Sequence, residues 1–104
     1  MPRPERGEVW LVDLGYAAKT RPCLVLSIPP LDTERALVTL VPHTTSRWGT
    51  QFEVDLPVAF LHMGVFDAQN PTTVSVAKLR KKLGGLAESE LAAVEDAVRS
   101  WLGL

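Results

Sequence analysis

Cys23 to Leu26 is an unbroken apolar run, with Pro22 before it and Ser27 after it. Four apolar residues in succession fit a strand buried on both faces. Such a strand needs a neighbour to pair with and a covering layer on each side, so the rest of the chain must supply a sheet and something to close over it. Pro22 has no N–H to give a ladder and is expected at the strand's first position. Arg21 then stands at the mouth of a rigid element, where a charge is held in place for a ligand. The plainer alternative is an ordinary surface arginine.

The chain around this run reads as a series of short strands. Gly7 to Leu14 (GEVWLVDL) is rich in β-branched and aromatic residues and is expected as a partly buried strand. Ile28 to Glu34, with Pro29, Pro30 and Asp32, reads as a turn. Arg35 to Pro42 is a third strand, and His43 to Thr50 a polar loop carrying Trp48 and Gly49. Gln51 to Leu56 alternates, with Phe52, Val54 and Leu56 on one face and Gln51, Glu53 and Asp55 on the other. Ala59 to Met63 fits no element firmly. Gly64 to Asp67 and Thr72 to Val76 read as short strands around a Gln69-Asn70-Pro71 turn. Lys78 to Lys82 is a basic run ended by Gly84 and Gly85.

The last segment carries the helical period. Leu91, Val94, Val98, Trp101 and Leu102 form one stripe. Glu88 and Glu90 favour the helix N-terminus and Gly103 suits its end, while Ala87 is a poor N-cap. Antiparallel strands followed by one helix predict a mainly β, α+β fold: a small barrel-like sheet with a helix packed against it.

Composition narrows the functional classes. The 104 residues are expected to form one domain, 1–104. No apolar run approaches the roughly 20 residues of a membrane helix, and the N-terminus has no apolar signal segment, so the expected location is cytoplasmic. Cys23 is the single cysteine and lies within the apolar run, which favours a core residue over a nucleophile. One cysteine with His43 and His62 offers no metal spacing, and no metal or cofactor is expected. The net charge is −1. Four acidic residues against Arg99 leave residues 87–104 at −3, so residues 1–86 stand at +2. Whole-chain charge therefore hides a weakly basic remainder.

Three stretches carry candidate chemistry: RGEVW (Arg6 to Trp10), TRPCLVLS (Thr20 to Ser27) and VPHTTSRWGTQFEV (Val41 to Val54). Thr44 and Thr45 follow a strand end at Pro42. Hydroxyls there are usually turn formers. The functional reading is a phosphate site, in which a threonine hydroxyl and a guanidinium bind oxygens of one phosphate. Trp48 suits stacking on a base, or equally the edge of a core. His43 reads as a proton shuttle or, more commonly, a surface turn histidine.

In their order along the chain these stretches resemble the MazF/PemK family of toxin endoribonucleases from toxin–antitoxin pairs. Gly7, Glu8, Val9 and Trp10 match its opening strand. Arg21, Pro22, Val25, Leu26 and Ser27 match its R-P-x-x-V-[LI]-S. Val41, Pro42, Thr44 and Thr45, then Phe52, Glu53 and Val54, match its V-P-x-T-[TS] and following strand. Thr73, Val74, Lys78, Leu79, Gly84 or Gly85, Leu86 and the final helix match its late segment. The loop from Gly15 to Thr20 is shorter than in many members, and the acidic C-terminal helix is unusual for an RNA-cutting toxin.

The resemblance implies a small SH3-like, MazF-like antiparallel β-barrel with a C-terminal α-helix, a symmetric homodimer and a cognate antitoxin partner. It implies metal-independent cleavage of single-stranded RNA at short sequences, with Arg21 and Thr44 as the catalytic pair. Thr45, Ser46, Arg47, Trp48, Lys19, Asp67, Gln69 and Asn70 are the expected RNA-binding residues. Some members use a polar residue in the turn before the T-V segment. Gln69 fits it by spacing and Asp67 by residue type, and Asp67 and His43 both stand as candidates for the base. Two rival readings are a non-catalytic module that binds RNA or protein, and a gyrase-directed toxin of the same fold.

Overall fold

The computed structural model describes residues 3–15 and 19–104. Seven strands run β1 (Glu8–Asp13), β2 (Thr20–Val25), β3 (Leu37–Thr44), β4 (Glu53–Val54), β5 (Val65–Asp67), β6 (Thr72–Ser75) and β7 (Leu79–Gly85), followed by helix α1 (Glu88–Leu102). A 3-10 turn, Val76–Lys78, joins β6 to β7. Every pairing is antiparallel. The hydrogen-bonded path is β4-β5-β3-β2-β1-β7, with β6 on β3 beside it. The barrel-like sheet and terminal helix are therefore present, and the path keeps two ends, β4 and β7, rather than closing.

β2 is the buried strand that its apolar run predicts. Cys23, Leu24 and Val25 are each fully buried. Leu24 faces a core with Val9, Val41, Phe66 and the helix residues Val94 and Val98. Cys23 and Val25 face a second core with Val12, Val38, Leu40, Val76 and Leu79. Only the first of these two layers is covered by α1.

Pro22 is not the first residue of its strand. β2 begins at Thr20, and Pro22 lies opposite Leu11 of β1. Pairing with β3 starts only at Cys23 opposite Pro42. At Pro22 the strand thus has a neighbour on one side alone, where a missing N–H is tolerated.

β3 runs two residues further than expected and takes in His43 and Thr44, because β5 continues the ladder there: His43 pairs with Phe66 and Thr44 with Val65. The predicted strand Gln51 to Leu56 shrinks to Glu53–Val54, opposite Asp67 and Phe66. The third β5 residue, Val65, is already committed to Thr44. Phe52, Val54 and Leu56 still pack on the helix-side core, as the alternation predicts.

Gly84 and Gly85 do not end the basic run. They continue β7, where a β-carbon on Gly84 would stand 2.6 to 2.8 Å from the Phe60 ring. Arg80 and Lys82 reach across to Asp13 (3.1 Å) and Glu8 (2.8 Å) on β1.

α1 matches its predicted stripe at Leu91, Val94 and Val98. In its last turn Trp101 and Leu102 are exposed, with Trp101 edge-on to Phe52 at 5.4 Å. Ala87 supplies no side-chain cap; instead Glu90 reaches back and accepts the Ala87 N–H at 2.8 Å. Gly103 ends the helix in the left-handed conformation at φ 74°. No helix among the described residues is long and apolar enough to cross a membrane.

Candidate active site

The ends of β2 and β3 open into one groove of about 510 Å³. β2 brings Arg21 to it and β3 brings Pro42 and Thr44. Arg21 pairs with Val12 across the β1–β2 ladder, so its backbone is fixed while its side chain is exposed. Among the described residues its guanidinium has no hydrogen-bond or ion-pair partner. Arg6, Arg47 and Arg80, by contrast, pair with Glu95, Asp55 and Asp13. Such a guanidinium at a concave surface is a ready clamp for phosphate oxygens.

Thr44 lines the same groove and its Oγ1 accepts the Ser46 N–H at 3.1 Å. That bond leaves the hydroxyl proton available to a ligand. Another wall comes from β5 and the turn after it: Asp67, Gln69 and Asn70. Asp67 organises this turn. Its Oδ1 accepts the Gln69 N–H at 3.2 Å and its carbonyl accepts the Asn70 N–H at 3.2 Å. The rim is formed by Ser46, Trp48 and Thr50. Trp48 is 83% exposed, so it is no core-edge residue and its ring is open to a planar partner.

The groove thus gathers Arg21, Thr44, Ser46, Trp48, Asp67, Gln69 and Asn70 from the expected set. Three expected residues stand outside it. Thr45 is exposed beside Thr44 and does not line the groove. Arg47 turns away to Asp55 at 2.8 Å and lines a separate hollow with His62 and Met63. Lys19 is exposed outside the groove, with a left-handed φ of 61°. Residues 16–18 of the β1–β2 loop lie outside the described residues.

His43 is not a turn residue. It is 4% exposed, lies within β3 and meets the Phe66 ring edge-on at 5.0 Å. Alternation along β3 turns it away from Pro42 and Thr44. Gly64 makes room for it: a β-carbon there would stand 2.7 Å from His43 Cε1. Burial holds the His43 pKa below the usual histidine value, with Asp55 opposing and His62 adding to the effect. Of the two candidate bases, only Asp67 reaches the groove.

Sequence reasoning missed Leu14, Pro42, Thr50 and Glu53 as lining residues. Glu53 is the informative omission. Alternation put it on a polar face with Gln51 and Asp55, and nothing in that pattern sets it apart. The available signal was its place directly after the Trp48 to Thr50 loop tip, whose backbone N–H groups need acceptors. The Trp48, Thr50 and Gly49 N–H groups hold its carboxyl below the usual glutamate range, helped by Arg47.

The basic run of β7 contributes less free charge than its sequence suggests, since Arg80 and Lys82 are neutralised by Asp13 and Glu8. Among the described residues no cluster of three or more His, Cys, Asp or Glu side chains is arranged to hold a metal ion.

The antiparallel sheet with its C-terminal helix is that of the MazF fold. Residues 5–102 match the family of PemK-like, MazF-like toxins of type II toxin–antitoxin systems, and the chain belongs to that family. Among solved structures it is similar to a MazF from Deinococcus radiodurans seen in a MazE–MazF structure, at 27% identity and a TM-score of 0.83, covering 100% of this chain and 99% of that one. It is similar to an endoribonuclease from a mycobacterial species in complex with its cognate antitoxin, at 28% identity and a TM-score of 0.80, covering 100% and 97%. The Mycobacterium tuberculosis toxin MazF-mt6 matches at 27% identity and a TM-score of 0.79, covering 93% and 97%.

Proposed function

We propose that this chain is a toxin that cuts single-stranded RNA at short sequences without a metal ion, as a one-domain homodimer controlled by a cognate antitoxin in the cytoplasm. The observation that carries this reading is the Arg21 guanidinium, without a partner among the described residues, in one groove with the Thr44 hydroxyl. Endoribonucleases among its structural relatives support the same activity.

RNA supplies its own nucleophile, the 2′-OH. The protein's task is to align that hydroxyl with the adjacent phosphorus and to stabilise the charge that builds on the phosphorane oxygens. Thr44 donates its hydroxyl proton to a non-bridging oxygen and orients the phosphate. Arg21 clamps the phosphate and stabilises the dianionic transition state. Arginine stays protonated, so it is no general base. Asp67 is the carboxylate in the groove suited to take the 2′-OH proton. The 2′-oxygen bonds to phosphorus as the bond to the 5′-oxygen breaks, and the leaving oxygen takes its proton from solvent water. The products are a 2′,3′-cyclic phosphate and a 5′-OH.

Trp48, Gln69 and Asn70 offer stacking and amide contacts for base selection. The antitoxin is read as an acidic segment that fills the groove and pairs with Arg21. The homodimer reading draws on the apolar residues Ile28, Leu31 and Leu37, exposed at 74, 62 and 41%.

The test is incubation of the purified protein with mixed-sequence RNA in EDTA, followed by analysis of the cut ends. Cuts at a short motif bearing 2′,3′-cyclic phosphate and 5′-OH ends are expected. Intact RNA at every dose, with binding retained, favours a non-catalytic module. Intact RNA without binding, together with inhibited gyrase, favours the gyrase-directed alternative.

A further inference from the structure

Three consecutive backbone N–H groups converge on one side chain. Trp48 N–H donates to Glu53 Oε2 at 2.8 Å, while Gly49 and Thr50 donate to Oε1 at 2.6 and 3.0 Å. Gly49 has a φ of 80°, a left-handed conformation that favours glycine and lets the chain turn sharply at the loop tip. The carboxylate at the centre is not itself on the loop. It projects from β4, where Glu53 pairs with Asp67 and the next residue, Val54, packs into the helix-side core.

Ser46 N–H to Thr44 Oγ1 and the Arg47–Asp55 ion pair tie down the start of the loop, and Thr50 accepts the Phe52 and Glu53 N–H groups at its end. At its tip, Glu53 is the side chain that holds the Trp48 and Gly49 backbone. Residues 45–51 are all exposed. At 83% exposure the Trp48 side chain is not held by burial among the described residues, so its position beside the groove depends on its backbone. We infer that Glu53 is a positioning residue: it clips the Trp48–Thr50 backbone to β4 and so fixes Trp48 as a stacking platform for one RNA base at the groove rim. The inference rests on the RNA-cutting reading above.

A direct chemical role for Glu53 fits the geometry poorly. Both carboxylate oxygens already accept backbone N–H groups, so taking a substrate proton means disrupting that arrangement. The same three donors offset its negative charge, which lets a carboxylate stand beside a phosphate-binding groove. Asp67, its cross-strand neighbour, has one oxygen not engaged by its own turn. The two acidic residues of this wall therefore divide their work, Glu53 holding the loop and Asp67 facing substrate.

The test combines two readouts on wild type, Glu53→Gln, Trp48→Ala and the double variant. Amide hydrogen exchange followed by NMR reads the clip without RNA. In Glu53→Gln the Trp48, Gly49 and Thr50 amides should exchange at least about tenfold faster, with β1 to β3 unchanged. Binding of a fluorescent mixed-sequence RNA made uncleavable by 2′-O-methylation reads the platform. Each single variant should bind about tenfold more weakly, the scale of one lost base stack, and the double variant no more weakly than either.

Glu53→Asp serves as the control for folding and should give intermediate exchange rates. Unchanged loop exchange in Glu53→Gln overturns the clip. Normal RNA binding by either single variant, or losses that multiply in the double variant, overturns the link between Glu53 and Trp48. Wild-type protein that neither binds nor cuts RNA overturns the functional reading and the platform with it; the exchange result then stands for the loop alone.

Discussion

Phe60 lies against Gly84 so closely that a β-carbon on the glycine would stand 2.6 to 2.8 Å from three atoms of its ring. The ring joins the helix-side core by occupying the space a side chain would take on β7. We predict that Gly84→Ala destabilises the fold by about 1–3 kcal/mol, the usual range for an overpacked site. Adding Phe60→Leu should recover part of the loss. Denaturant unfolding of the three proteins measures both effects, and an unchanged midpoint for Gly84→Ala contradicts the tight packing.

Arg21 is exposed, fixed by a ladder and without a partner among the described residues, so its loss should affect chemistry without affecting folding. Arg21→Ala is expected to lower RNA cleavage by about 100- to 1000-fold, the scale of one transition-state donor at roughly 2.7–4 kcal/mol. Its stability should stay within about 0.5 kcal/mol of wild type. Arg21→Lys should recover little, because an ammonium keeps the charge and loses the planar fork. Cleavage rates beside melting temperatures decide: near wild-type cutting by Arg21→Ala removes it from the site, and a large melting shift makes it structural.

Cys23 is fully buried, and burial pushes its thiol up to about 12, with Arg21 a weaker opposing influence. At neutral pH the thiolate is therefore scarcely populated. Native protein should resist iodoacetamide, while protein in denaturant reacts at one site per chain. Rapid labelling of the folded protein, read by mass spectrometry, runs against a sealed second core.

For His43 the sign of the pH effect follows from its depressed pKa. The unfolded chain takes up a proton near pH 6.5, and the folded chain resists doing so until lower pH. The stability His43 contributes is thus fully present above pH 6.5 and is lost as pH falls through the folded value. Unfolding free energy measured between pH 7.5 and 5.5 should decline for wild type. His43→Asn should decline less steeply; equal slopes place the protonation elsewhere.

If Ile28, Leu31 and Leu37 meet a second copy, mutating them to charged residues should disperse the dimer. Light scattering is expected to give about twice the 11.4 kDa chain mass for wild type at micromolar concentration. The Leu31→Asp, Leu37→Asp double variant should give a single chain mass. A wild-type monomer contradicts the assembly.

Much of this architecture was legible because its signals are local. The Cys23 to Leu26 run, the alternation around Phe52 and Val54, and the stripe through Leu91, Val94 and Val98 each state a burial pattern within a few residues. What escaped depends on partners distant in sequence. His43 reads as loop until β5 extends the β3 ladder to it. Gly84 and Gly85 read as a stop until Phe60 and β1 meet them. Arg47 looks like a phosphate ligand until Asp55 takes it. Within the groove, Arg21 and Thr44 were findable from motif order. Glu53 was hidden because its role lies in backbone bonds, which leave no compositional trace.

Arg21 and Thr44 belong to paired strands, whereas Trp48, Gln69 and Asn70 belong to the connections between them. Under the RNA-cutting reading, the groups that break the bond and the groups that choose the base are thus carried on separate parts of the chain. Loop residues can then vary with little disturbance to the ladders that aim the guanidinium and the hydroxyl. Selection, natural or in the laboratory, can retarget such an enzyme by exchanging its connections while its reaction stays the same.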